Sequence, residues 1–155
     1  MILFPIITSL ISITFALILI YFIKQYPTGS GKQIEIWEAI KEGSRAYLKR
    51  QNLTVGIVAL AIAVILWFIP VLGSRIALGF LVGAFASALA GYLGMMTAVD
   101  TNVRTAEAAR PTPSDETRPK GAAKSGLPKA FRVAFLGGSV TGFLVVGLGL
   151  LSVSL

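Results

Sequence analysis

The chain contains no cysteine and no histidine. The first absence excludes disulfides, thiolate metal sites and cysteine nucleophiles. The second removes the commonest general base near neutral pH. Acidic residues are scarce, with two aspartates, Asp100 and Asp115, and five glutamates among 155 residues. Hard cations such as Mg²⁺ need oxygen ligands, usually carboxylates held close together, so little material for such a site is present. Charge of either sign is missing altogether from four long stretches, residues 2–23, 51–74, 76–99 and 133–155.

Those stretches define the class. Each holds at least 22 residues, and at about 1.5 Å of rise per helical residue that covers the roughly 30 Å hydrocarbon core of a bilayer. Lipid offers the backbone no hydrogen-bond partners, which favours helices. The composition agrees, at 55% hydrophobic and 14% charged residues with mean hydropathy +0.79. The expectation is an all-α, multi-pass integral membrane protein of four transmembrane helices, with room for one four-helix bundle. Residues 1–155 are read as a single unit, with spans near 2–23, 52–70, 76–99 and 133–155. The first run lacks a basic n-region and a small-residue cleavage site and is too long for a signal peptide, so it is read as an uncleaved span.

The net charge of +7 is distributed unevenly. Six of the fourteen Lys/Arg residues fall between 24 and 50, seven fall between 104 and 132, and Arg75 stands alone. Cations in alternate connections follow the positive-inside pattern. This predicts cytoplasmic loops at 24–51 and 100–132 and places both termini outside, in the cell membrane if the source is prokaryotic. Nucleic acid is not an expected partner, because recognising it takes a basic face with groove-reading or stacking residues.

In the first connection, Tyr26-Pro27-Thr28-Gly29-Ser30-Gly31 predicts a turn. From Gln33 to Gln51, Ile36/Trp37, Ile40, Gly43/Ser44 and Tyr47/Leu48 recur at three- and four-residue spacing. They define an amphipathic cytoplasmic helix, expected to lie on the membrane surface before entering the second span. Trp67 is an interfacial anchor near that span's outer end, and Pro70 and Gly73 form the next turn. The third span carries Gly79, Gly83, Ser87 and Gly91, flanked by Ala84, Ala88, Ala86, Ala90 and Gly94. Gly138, Gly142, Gly147 and Gly149 do the same in the fourth. Small residues at this period allow close helix approach in lipid. Residues 100–110 read as a helical extension of the third span, and residues 111–128, rich in proline and polar side chains, as an exposed flexible insertion.

Two features resemble chemistry without supplying it. Gly29-Ser30-Gly31-Lys32 suggests a phosphate-binding loop, but Tyr26 and Gln33 stand where the Walker pattern needs Gly and Ser/Thr. Glu35, Glu38 and Glu42 could share a helix face, yet lie among basic residues as a solvated, ion-paired surface. No carboxylate lies within a span, so the chain by itself holds no intramembrane proton or sodium relay.

Longer strings carry a family resemblance. Glu35-Ile36-Trp37-Glu38-Ala39-Ile40-Lys41-Glu42-Gly43-Ser44-Arg45-Ala46-Tyr47-Leu48-Lys49-Arg50-Gln51 resembles the first cytoplasmic connection of membrane-integral pyrophosphatases. Ala90-Gly91-Tyr92-Leu93-Gly94-Met95, with Asn102-Val103-Arg104-Thr105-Ala106-Glu107-Ala108-Ala109-Arg110, is similar to the end of that family's third helix and its extension. Ala130-Phe131-Arg132-Val133-Ala134-Phe135-Leu136-Gly137-Gly138-Ser139-Val140 and Val145-Val146-Gly147-Leu148-Gly149-Leu150-Leu151 resemble its fourth helix. The strings occur in the family's order and cover most of the chain after Gly31.

The resemblance implies the N-terminal, outer-ring helices of a homodimeric pump that couples pyrophosphate hydrolysis to H⁺ or Na⁺ translocation, using Mg²⁺ and in some members K⁺. The family's Asp-rich substrate motifs belong to later helices and have no match here. No residue of this chain is therefore expected to be catalytic, cofactor-binding or metal-binding. The chain is read as a fragment or one piece of a split enzyme, inactive alone, with the lipid bilayer and the pump's remaining helices as partners. Asp100 stands where the family pattern leads one to expect a small or basic residue. The alternative is a small four-helix structural or assembly membrane protein with no enzymatic parent.

Overall fold

A computed structural model describes residues 3–69, 73–110 and 126–154. They form four α-helices, α1 (Leu3–Lys24), α2 (Lys32–Phe68), α3 (Gly73–Ala108) and α4 (Gly126–Ser154). All four are long and apolar enough to cross a membrane, and the chain is an all-α, multi-pass integral membrane protein. Residues 70–72 and 111–125, which hold part of the expected second turn and most of the expected insertion, lie outside the described residues.

Two boundaries differ from the sequence expectation. The amphipathic segment is not a separate surface helix but the first half of α2, which runs unbroken for 37 residues, about 55 Å. No proline lies between Lys32 and Phe68 to end the helix, so the surface-lying arrangement does not form. Residues 126–128, expected in the flexible insertion, instead make the first turn of α4. Proline is tolerated there, because a first-turn N–H has no intrahelical partner to lose, and Pro128 starts no break.

The helices form an open row in the order α2, α3, α4, α1, rather than a closed bundle. Among the described residues, α2 packs on α3 and builds no interface with α1 or α4. The reason is visible in the side chains. The buried positions of α4 are Gly126, Ala130, Val133, Gly137, Val140, Leu144 and Gly147, spaced four and three by turns. Those of α1 are Ser9, Ser12, Ala16, Leu19 and Ile23, on the same rhythm. On α3, Ala90, Gly94, Thr97, Thr101 and Arg104 repeat it. A 3.5-residue period is the seam along which neighbouring helices wrap at shallow angles. The span of α2 carries only a short stripe, Ala59, Ala63 and Leu66, which packs on α3; Leu53, Ile57, Leu60, Val64 and Phe68 on its other faces all stand exposed, as suits a lipid-facing edge.

Small residues decide where the row is tight. A methyl at Gly137 would fall 2.5 Å from Thr101 Cγ2, one at Gly147 2.8 Å from Ile13 Cγ1, and one at Gly94 3.2 Å from Thr141 Cγ2. By contrast, methyls at Gly79, Gly83, Gly91, Gly138, Gly142 and Gly149 would meet nothing within 4 Å. The close approach in α4 thus rests on Gly147, which the sequence singled out, and on Gly137, one residue round the helix from the expected Gly138/Gly142 pair. Between α1 and α4, the Ser12 hydroxyl donates to the Phe143 carbonyl at 3.0 Å. The rings of Phe15 and Phe143 meet edge to face at 4.9 Å.

Candidate functional site

The polar side chains gather at one end of the row, where α1 and α3 finish and α2 and α4 begin. The turn after α1 reaches α2 through Gly29 and Gly31, at φ +80° and +60°, a left-handed backbone that glycine adopts without strain. A methyl at Gly29 would also lie 2.6 Å from both Gln33 Oε1 and Glu107 Oε2, so these two side-chain ends would have to move aside. The glycines that suggest a nucleotide loop therefore serve a tight turn against the end of α3.

Arg104 is the most enclosed charged residue here. Its Nε donates to the Tyr26 carbonyl at 3.2 Å, and its Nη1 to the Asp100 carbonyl one turn earlier. The guanidinium thus satisfies a carbonyl of the turn that follows α1 and ties that turn to α3. On the same face Thr101 and Thr105 donate back to the carbonyls of Thr97 and Thr101.

A second brace joins α2 to α3. Lys41 Nζ donates to Asp100 Oδ1 at 3.0 Å, with both side chains about one-fifth exposed (22% each). The same ammonium lies 4.4 Å from the centroid of the Trp37 ring, a favourable cation–π position. Farther along, Gln33 Nε2 donates to the Val103 carbonyl at 2.9 Å. Asp100, at odds with the family pattern in isolation, is therefore one half of an interhelical ion pair. Between these braces Gln33, Ile36, Trp37 and Ile40 of α2 face Val99, Asn102, Val103 and Ala106 of α3 across a groove of about 520 Å³.

The three glutamates of the amphipathic segment are not brought together with other acids. Glu35, Glu38 and Glu42 all stand exposed. Among the described residues no three His, Cys, Asp or Glu side chains converge as a metal site would require. This donor set does not fit Mg²⁺. What this end can do is mechanical: it fixes the relative depth of α1, α2 and α3. Sequence reasoning placed Arg104 only inside a family string. The signal for its role was there, because Arg104 continues the three-four spacing of Ala90, Gly94, Thr97 and Thr101, and so sits on the packed face.

The fold and this cross-braced end define a four-span membrane unit with helical extensions on one side. The family model described as inorganic H⁺ pyrophosphatase matches residues 10–155. A K⁺-insensitive pyrophosphate-energized proton pump of Methanosarcina mazei is 44% identical over 146 residues, covering 94% of this chain and 20% of the relative. A second pump of that description, from Moorella thermoacetica, is 39% identical over 98% of this chain and 20% of its own length. A protein of Bacteroides thetaiotaomicron, provisionally named a K⁺-stimulated pyrophosphate-energized sodium pump, is 38% identical over 96% of this chain and 19% of its own length. No solved structure matches the chain. The chain belongs to the membrane-bound H⁺-pyrophosphatase family, and it spans about a fifth of the length of the curated relatives it matches.

Proposed function

We propose that these four helices are the N-terminal scaffold of an ion-translocating pyrophosphatase, a pump that couples hydrolysis of pyrophosphate to H⁺ or Na⁺ transport. The observation that carries the reading is the match along nearly the whole chain to relatives named as such pumps, confined to a fifth of their length. Mg²⁺, K⁺ where it is used, pyrophosphate and the transported ion belong in this reading to the other four fifths of the enzyme. The complete protein is a homodimer. The basic connections face the cytoplasm and both ends of the chain face outward. Residues 37–51 and 102–110 support the cytoplasmic mouth of the pump without touching substrate.

The purified 155-residue chain, reconstituted in liposomes with Mg²⁺ and pyrophosphate, is expected to release no phosphate above a mock preparation. Turnover above that background overturns the scaffold assignment. Supplying the remaining helices on a second polypeptide is expected to restore hydrolysis. Persistent inactivity when both pieces are present in the membrane counts against the split-enzyme form of the proposal.

A further inference from the structure

The groove between the amphipathic half of α2 and the extension of α3 has a buried floor of Val99 and Val103 and two large apolar side chains of α2 that stand open. Ile36 and Ile40 are each 52% exposed, although both are large and aliphatic. Their depth rules out lipid as the cover. About twenty helical residues cross the hydrocarbon core. Counted from Phe68 at the outer end of α2, that length places the inner edge of the core near Leu48. Counted from Ser74 on α3, it places the edge near Leu93. The two counts agree independently, because Lys41 and Asp100, which touch at 3.0 Å, each lie about 10 Å beyond those edges by helical rise. Ile40 then lies about 12 Å beyond the core and Ile36 about 18 Å, whereas the headgroup layer is only roughly 5–8 Å deep on each side. Around the same turns Glu35, Glu38, Glu42 and Arg45 are exposed, as a water-facing surface requires.

Contiguous apolar surface in a polar zone marks a protein contact. We propose that this groove seats an apolar cytoplasmic segment from the remaining four fifths of the same pump polypeptide. The inference rests on the scaffold reading above. It adds the location of one internal contact, at Ile36, Trp37 and Ile40 on α2 and Ala106 on α3. The occupant is chosen by length: the relatives extend about five times as far as this chain, and in the scaffold reading that remainder accompanies the four helices.

The chain has no native cysteine, so single thiols report cleanly once any others in the complete enzyme are replaced by serine. Ile40→Cys is compared with Glu38→Cys in inside-out vesicles, in the 155-residue chain and in the complete enzyme, using a membrane-impermeant maleimide. The thiol at position 40 is expected to react freely in the short chain and at least about tenfold more slowly in the complete enzyme. The thiol at position 38 reacts equally in both. Equal reactivity of the thiol at position 40 in the two overturns the proposal. So does protection already present in the short chain, which would make a second copy or the chain's own connecting segment the cover. Phosphate release from the same vesicles separates the two claims. Hydrolysis with an open groove defeats the docking site alone, and protection without hydrolysis defeats the pump reading alone.

Discussion

Substituting Gly137 by alanine tests the packing argument at the tightest point of the row. The added methyl would stand 2.5 Å from Thr101 Cγ2 and 2.8 Å from Thr101 Oγ1. Ordinary contact needs about 3.5–4.0 Å, so α3 and α4 must part by roughly 1 Å or Thr101 must turn. The rotamer is not free to change, because Thr101 Oγ1 donates to the Thr97 carbonyl at 2.7 Å in a buried position. Overpacking of this kind costs about 1–3 kcal/mol. Gly138→Ala is the control, since a methyl there meets nothing within 4 Å. Both changes gain the same helix propensity, up to about 1 kcal/mol, so their difference isolates the clash. Equilibrium unfolding in mixed dodecylmaltoside–SDS micelles should place Gly137→Ala about 1–3 kcal/mol below Gly138→Ala. Thr101→Ser, which removes the nearest methyl but keeps the hydroxyl, should recover part of the loss in a double-mutant cycle. Equal stability of the two alanine variants, or no coupling to Thr101, refutes the account of how α3 meets α4.

The braces at the polar end of the row give two further expectations, and the α1–α4 contact gives a third. Arg104→Met removes the donor to the Tyr26 carbonyl and should cost about 1–3 kcal/mol, read as faster limited proteolysis in the 26–31 turn; an unchanged cleavage rate counts against the brace. Asp100→Asn and Lys41→Met should each cost up to about 1 kcal/mol for a pair this exposed, and the charge swap Lys41→Asp with Asp100→Lys should recover part of it. Additive losses in that swap show that the two side chains do not interact. Ser12→Ala should lower stability by about 0.6 kcal/mol, the usual value for a hydrogen bond between membrane helices; a loss above about 2 kcal/mol would mean that Ser12 holds more than the Phe143 carbonyl.

Much of this architecture was legible in the chain. Charge-free runs of 22 residues or more have one stable solution in lipid, so the four helices and the grouping of both basic connections at one end followed from the sequence. The helical continuation through 100–108 was legible for the same reason, being alanine-rich and free of breakers. What the sequence left open is azimuth. A stripe of small residues says that helices approach, but not which of two adjacent glycines faces the neighbour; Gly137 rather than Gly138 does, through its fit to Thr101. The open row was hidden because the charge and hydropathy of α2 are compatible with any neighbour. The direction of the first half of α2 was hidden because amphipathic periodicity is the same for a helix lying on a membrane and for one standing beyond it against a partner. The partner here is the α3 extension, recognised through Lys41–Asp100 and Gln33–Val103. Asp100 and Arg104 became interpretable only once α1 and α2 were placed beside them.

The sidedness of the two basic connections is tested most directly by single cysteines at Thr28, Ser74 and Arg110 in intact cells. The cysteine at position 74 should react with an impermeant maleimide from outside, and those at 28 and 110 only after permeabilisation. External labelling at 28 or 110, or opposite sidedness of these two, contradicts a chain that crosses the membrane four times with both cationic connections on its inner face.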